Sequence, residues 1–562
     1  MTGRQLREEW FGAPPHLWSI ARPKPDGQRT APRDFRPADI DRGRLVMSGL
    51  FTFDGLELEL AEDGDLWNRA TPSRAFAAQL HRMDWLRDLM AAGEAGPRTA
   101  LGHVLAWQAV FGRWNSFAWG PLAITRRVFN LAANLKRLSS AASESETAVL
   151  QFSLARQARH LLMLQDGPRW AAERCAAAAV AGAALAGKAG DKILARALKR
   201  LEPALKAAVL PDGGHASRSP EAGLELLLDL LSLDDALLQL GRPPPPELTR
   251  AIDRLTAGLS FFTLSDGRLA SFQGGEQSTA ERVIAAAACG EADASPEGED
   301  GSLAPPPSPS APFSGYEKLI GRQLVAIIDA APPARGAWSP TACAQALALE
   351  ILAGPDRLIT NSGWSVRAEG NQALRLTPAG STLTLTEASA GAPIGGLRAR
   401  VLGSRLEGGA SSVDLRRHDA ETGAWLELSH DAWVPVFGLV HDRRLYMDCV
   451  ADELRGEDRV RPHSETATGR RIAQFAVRFH LQPGVRASVA MDQRSILLWG
   501  PSHDGWWLRS DASEVTLEPS LHLQGGRPRR TTQVVLRSLL RTDRTGRIRW
   551  KFTAADSRHS GH

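Results

Sequence analysis

The stretch EADASPEGEDGSLAPPPSPSAP, residues 291–312, divides the chain. It is dense in Pro, Ser, Gly and acidic side chains and poor in apolar ones, so it reads as a linker that cannot build a core of its own. Upstream, from about 70 to 290, the text is helical. SRAFAAQLHRMDWLRDLMAAG (73–93), ETAVLQFSLARQARHLLML (146–164), KILARALKRLEPALKAAVL (192–210) and EAGLELLLDLLSLDDALLQLG (221–241) place apolar residues at three- and four-residue steps. About eight such amphipathic helices follow one another with short connections, many ending at Gly or Pro. Helical hairpins of this kind stack as a bundle, a solenoid or a toroid, and periodicity does not choose among them.

Downstream, from about 313 to 555, the texture is different. Short alternating stretches recur, among them STLTLTEA (381–388), GAWLELSHD (423–431), RRLYMDCVA (443–451), RIAQFAVRFHLQP (471–483) and GWWLRS (505–510). Gly, Asp, Asn and Pro punctuate them. Many short strands without intervening helices mean a large antiparallel sandwich. The domain reading is an N-terminal arm with a short hairpin (1–62), a helical domain (63–290), the linker (291–312), the sandwich (313–556) and a tail (557–562). Within the first of these, residues 1–45 are rich in Pro, Arg and Asp and read as an extended arm, while VMSGLFTFDGLELELAE (46–62) alternates like a hairpin.

Composition narrows the classes of function. A formal net charge of +4 over 562 residues, with no run of Lys and Arg, gives no case for nucleic acid. Hydrophobic residues make up 43%, enough for real cores. The cysteines Cys175, Cys289, Cys343 and Cys449 are too far apart for a redox pair or a zinc ribbon. No metal and no cofactor are expected. MTGRQLREEWFGAPPHLWSI lacks the pattern of a signal peptide, and the longest apolar run, CAAAAVAGAALAG (175–187), is too short to span a bilayer. The expected location is therefore the cytoplasm, with the periplasm second.

One loop asks for more than a structural explanation. LPDGGHASRSPEAG (210–223) joins two helical runs and presents His215 behind a Gly pair, with Asp212 before it and Arg218 after. LPDGGHASRSP resembles the Asp-Gly-Gly-His-x-Glu-Arg-Ser-Pro segment of the heparinase II/III polysaccharide lyases. Other places carry the same resemblance. QALALEILAGPDRLITNSG (345–363) and GSTLTL (380–385) are similar to the family's first sandwich strands. SHDAW (429–433), GLVHDRRLYM (438–447), DELRGED (452–458) and FAVRFHLQP (475–483) are similar to later ones. RMDWLRDL (82–89) and WNSFAWGPLAITRR (114–127) look like N-terminal helices of a bacterial branch.

The resemblance implies an incomplete α/α toroid followed by an antiparallel β-sandwich, with the site in the cleft between them. It also implies β-elimination on a uronic-acid-containing polysaccharide. A base removes the C5 proton, placed donors stabilise the charge that builds on the carboxylate, and an acid protonates the leaving oxygen. In the family a Tyr acts as base and acid, a His assists, and Asn or His neutralises the carboxylate. In this sequence the Tyr-His positions fall on Ala222 and Gly223, and the Asn-His positions fall near Pro168 and Arg169. The first sandwich His falls on Cys343, with its Asp on Gln345, and the catalytic sandwich His falls on Gly380. Only two tyrosines exist, Tyr316 and Tyr446.

Two readings follow. In the first, the chain is a lyase with a rebuilt site. His215 is the base and Asp212 orients it, while Arg218 and Arg169 neutralise the carboxylate through paired hydrogen bonds. His430 or His441 is then the acid, and Trp114 and Trp119 line the glycan. In the second, the chain is a non-catalytic member that binds a glycan or a partner protein. The partner expected in both is an anionic polysaccharide, with a protein as the alternative in the second.

Overall fold

Asp54-Gly55 turns the chain between the strands Leu50–Phe53 and Leu56–Glu59, which pair antiparallel. Both turn residues have positive φ, 51° and 82°, the conformation that fits a two-residue hairpin to the twist of its strands. The hairpin lies where alternation places it; the arm before it differs. In the computed structural model, which describes residues 3–61, 64–165, 167–291, 308–366, 371–464, 471–502 and 504–555, the supposedly extended arm carries the helices Gly3–Gly12, Pro14–Ala21 and Ile40–Met47. Pro14 is suited to a first helical position, where its missing N–H costs nothing. His16 and Ile20, one turn apart, are buried. Asp39 caps the third helix by accepting the Arg42 N–H at 2.9 Å. Helices this short, set among prolines, leave too few apolar repeats for a period to show. Residues 292–307 of the linker and all of the tail lie outside the described residues.

The chain divides into two units. One comprises Met1–Val209, Leu224–Thr256 and Ala285–Ala294, and the other Leu210–Gly223, Ala257–Ile284 and Ser295–His562. Two pieces from the helical half thus belong with the strands, contrary to a boundary at 290. Polar side chains account for it. Arg357, 3% exposed, reaches Asp266 at 2.9 Å and Glu350 at 2.7 Å. Gln277 donates to Thr360 Oγ1 at 3.0 Å. Removing Ala257–Ile284 would take away these partners of buried groups.

The first unit is built of helical hairpins. Ser143 and Glu146 form a reciprocal capping box at the start of Glu144–Leu161. The alanine-rich helix Ala171–Ala184 is buried from Ala172 onward. Its small side chains let neighbours approach closely, and a Cβ at Gly182 would lie 2.5 Å from the Leu194 backbone nitrogen. The segment after the second N-terminal helix is pinned by charge. Arg36 contacts Asp229 at 2.7 Å, Glu225 at 3.0 Å and Asp34 at 3.1 Å, and Arg126 shares Asp229 at 2.7 Å. No helix among the described residues is long and apolar enough to cross a membrane.

Glu173 sits on the buried alanine-rich helix, 7% exposed. Burial, helped by Asp229, raises its carboxyl from 4.5 to about 7. A raised carboxyl binds its proton more tightly in the folded state, so its contribution is present below the unfolded value and is lost as pH rises from 4.5 to about 7. The loss amounts to about 3 kcal/mol. Urea unfolding at pH 5 and pH 8 should register that fall, and Glu173→Gln should largely abolish it.

The second unit is the sandwich. One antiparallel sheet has eight strands in the order Val413–Ala420, Gly423–His430, Leu439–Asp448, Glu453–Pro462, Gly546–Ala554, Gly505–Ser510, Ser495–Trp499 and Arg486–Val489. The other has nine, running from Glu514–Gln524 through Arg527–Arg541, Ile472–Leu481, Asp356–Thr360, Leu349–Ala353 and Leu324–Asp329 to Tyr316–Ile320 and Ser310–Ala311, with Leu383–Leu385 paired beside Ile472–Leu481. Leu426, Leu445, Leu454, Phe479, Trp550 and Phe552 are among the side chains that fill the core. Strands of the eight-stranded sheet alternate. In Gly423–His430 the buried Leu426 and Leu428 flank the exposed Glu427. Leu349–Ala353 and Asp356–Thr360 are buried throughout.

Candidate functional site

The loop Leu210–Gly223 lies in the sandwich unit, held there by its own side chains. Asp212 accepts the Ser314 N–H and hydroxyl, each at 2.6 Å, and the Gly214 N–H at 3.3 Å. Gly214 permits this approach, because a Cβ there would overlap Ser314 Oγ at 1.8 Å. Asp212 therefore holds Ser314; it was expected to orient His215.

Arg218 has φ of 65° and is 7% exposed. Its guanidinium donates to the carbonyls of Ser314 (2.8 Å), Gly315 (3.0 Å), Ala331 (3.1 Å) and Pro332 (2.8 Å), and to the Asp329 carboxylate. It also lies 4.9 Å over the Tyr316 ring, whose hydroxyl donates to the Arg218 carbonyl at 2.5 Å. Burial opposes the charge, but Asp329 outweighs it and holds the group above its ordinary value. Gln273 steadies Asp329 from the other side at 2.6 Å. Every donor of Arg218 is thus engaged within the fold, so it is a clamp and offers no fork to a uronate.

His215 is 3% exposed. Nδ1 accepts the Ser217 N–H at 3.2 Å and lies 2.7 Å from Ser217 Oγ. The ring meets Trp338 edge to face at 5.2 Å. Burial pulls its pKa down to about 4. The neutral ring therefore carries its proton on Nε2, and the lone pair a base needs is the one already facing Ser217.

The sandwich histidines form a closed chain between the sheets. The Ala432 N–H donates to His430 Nδ1 at 3.1 Å, His430 Nε2 lies 3.0 Å from His441 Nδ1, and His441 Nε2 lies 2.7 Å from Asp458. Asp458 also accepts from Arg443 at 2.7 and 3.1 Å and from Trp550 Nε1 at 2.8 Å. Burial lowers both imidazoles. One of the two was expected to be the acid; both complete an interior network.

In the first unit, Trp119 is 2% exposed, donates to the Phe111 carbonyl at 2.8 Å and packs on His160 at 5.2 Å. It is core, and no face is left for a sugar. Trp114 is half-buried against Phe11 at 6.3 Å. Arg169 is half-buried with its guanidinium 5.0 Å over the Trp170 ring.

The positions matching the family's catalytic groups hold nothing that trades a proton near neutral pH. Ala222 and Gly223 lie at the start of a helix. Burial raises the Cys343 thiol to about 11. Gln345 donates to the Leu374 and Leu376 carbonyls at 2.9 and 3.1 Å. A Cβ at Gly380 would lie 2.9 Å from Gln345 Cγ, so Gln345 occupies the space a side chain at 380 would need. Among the described residues, no three His, Cys, Asp or Glu side chains gather as a metal would require.

A different surface stands out, one that no sequence motif marks. On the outer face of the eight-stranded sheet, strand register aligns His418, Trp425, Tyr446, Arg455, Lys551 and Arg509 in one row across six strands. Trp425 stacks on Tyr446 at 4.4 Å, 24° from parallel, with His418 at 5.7 Å on its other side. Arg455 lies 5.5 Å over the outer face of Tyr446. The adjacent row alternates in charge: Arg416, Glu427, Arg444, Glu457, Arg549. Between the rows opens a shallow cavity of about 590 Å³. Alternation in GAWLELSH and RRLYMD does mark these residues as outward, but only the register joins them into a row.

A helical half followed by an antiparallel sandwich that takes back two helical-half segments defines a helix-and-sandwich protein. Residues 303–551 match the family model for the heparinase II/III-like C-terminal domain. FtsZ-localized protein C of Caulobacter vibrioides is 49% identical over 555 residues, spanning 98% of this chain and 94% of the relative. Among solved structures, a heparinase III matches 99% of this chain and 92% of its own with a TM-score of 0.71 at 14% identity. A mutant of the heparan sulfate lyase HepC from Pedobacter heparinus matches 99% and 89% with a TM-score of 0.57 at 15% identity. The chain belongs to the heparinase II/III-like family, and its fold is the incomplete α/α toroid followed by the antiparallel β-sandwich.

Proposed function

We propose that this chain is a family member that has given up β-elimination and works by binding, in the cytoplasm, where FtsZ gathers. The observation that carries the proposal is the inward commitment of the remaining ionisable groups of the sandwich site. Arg218 is spent on four carbonyls and Asp329, and His215 on Ser217. His430 and His441 are tied to Asp458. Elimination needs a base beside C5 and donors aimed at the carboxylate; general acid–base catalysis alone supplies about 10²–10⁴ in rate. The relative named for its localisation to FtsZ supports the cellular half of the reading.

Two measurements test it. Purified protein incubated with heparan sulfate, hyaluronan or alginate should produce no ultraviolet absorbance of unsaturated uronate. A fluorescent fusion expressed in its own cells should form a band coincident with FtsZ and disperse when FtsZ is depleted. Turnover that disappears in His215→Ala would restore the lyase reading. A fusion indifferent to FtsZ depletion would remove the localisation.

A further inference from the structure

We infer that Lys318 is a modification site, an amine that accepts an acyl group from acyl phosphates well ahead of the exposed lysines of the chain. The inference stands apart from the reading that the chain works by binding.

Lys318 is the middle residue of the strand Tyr316–Ile320, half-buried between the buried Glu317 and Leu319. Its Nζ lies 4.8 Å from the centre of the Phe261 ring, at the end of the helix Pro246–Phe262. Phe261 is 8% exposed, and Ile327, directly opposite Lys318 on the next strand, is fully buried. Apolar groups thus border the amine, and among the described residues Nζ has no hydrogen-bond or ion-pair partner.

The acids nearby are engaged elsewhere. Glu317 points to the opposite face of the sheet and pairs with Arg417 at 2.9 Å. Glu350 lies in the same row as Lys318, two strands away, and is held by Arg357 at 2.7 Å and Thr360 at 2.9 Å. On the helix, Glu247 and Asp253 precede Phe261 by two turns or more. Arg417, which donates to the Lys318 carbonyl at 2.9 Å, adds a cation beside the strand.

The face of Phe261 attracts an ammonium weakly. Burial works against the charge more strongly, because no acceptor replaces the water it excludes. It draws the amine from 10.5 down to about 8. At pH 7.5 about a quarter of the Lys318 amines then carry a free lone pair, against about one in a thousand for an ordinary lysine. That lone pair attacks the carbonyl carbon of an acyl phosphate. The C–N bond forms as the C–O bond to phosphate breaks, phosphate leaves with the electron pair, and the nitrogen's proton passes to water. The product is a neutral amide, free of the charge that burial opposes.

The test compares lysines within one protein. The chain has eight. Lys206 and Lys551 are paired with Glu202 and Glu453, at 2.8 and 2.9 Å, and Lys24, Lys136, Lys188, Lys192 and Lys199 are exposed. Full-length folded protein is treated with acetyl phosphate across a range of pH, and acetylation of each lysine is followed by mass spectrometry. At pH 7.5 Lys318 should react about tenfold or more faster than Lys188, Lys192 and Lys199, the lower basicity of its nitrogen taking back part of the gain in lone pairs. Its rate should level off once the pH passes about 8.5, while theirs climb beyond pH 10. Lys318→Arg should remove the fast event and leave the other rates unchanged. A Lys318 rate no greater than that of the exposed lysines, or one that climbs in parallel with theirs through pH 10, would overturn the inference. Neither result depends on a variant that must fold, and neither bears on the FtsZ-dependent band.

Discussion

Arg218→Met should destabilise the protein by about 3–5 kcal/mol, the usual consequence of breaking a buried ion pair from one side. Asp329 is 0% exposed and would keep only Gln273 and its local backbone contact. Four carbonyls, those of Ser314, Gly315, Ala331 and Pro332, would lose the guanidinium together, Gly315 keeping the Ala330 N–H at 2.8 Å. Met matches the length of the stem without the fork, so the loss reports the hydrogen bonds more than the packing. Lys should recover little of it, because a single ammonium cannot reach carbonyls spread around a planar guanidinium. Chemical denaturation measures the effect directly. A loss below 1 kcal/mol would mean that Arg218 is free to serve a ligand after all.

The second large effect is expected at Asp458. Asp458→Ala should again cost about 3–5 kcal/mol, since Arg443, fully buried, would retain only the Leu347 and Ser381 carbonyls. The dependence on pH has a defined sign. Burial works to raise this carboxyl, but Arg443 and His441 overcome it and hold it well below the ordinary carboxylate range. Its stabilisation is therefore full above the unfolded value near 4 and is lost as pH falls toward the lower folded value. The wild-type protein should lose stability in acid through this group, and the Ala variant should show a flatter acid limb. Equal acid limbs in the two proteins would mean that Asp458 does not carry the network.

The architecture was readable because it depends on repetition. Apolar steps of three and four in 73–93 or 221–241, and alternation in 423–431, record which face is buried. The arm escaped because its helices are too short to repeat. The site was harder for a different reason. Type and spacing say that Arg218 can hold an anion; they do not say whether that anion is a uronate or Asp329. An aromatic such as Trp119 suits a sugar or a core equally well until the side its helix presents is known. His430 and His441 are eleven residues apart in sequence and become neighbours only through the pairing of two strands. The outer row was visible in fragments, as Trp425, Tyr446 and Arg455 at outward positions. Joining them required the register, which no single strand contains.

The passage of the chain back and forth between its two units has a consequence for how such a protein can change. A gene fragment that begins beyond the linker encodes Asp329, Ser314 and Thr360 without their partners Arg218, Asp212 and Gln277. Recombination at the most permissive point in the text would therefore orphan buried charges on the sandwich side. The two halves are bound to be inherited together.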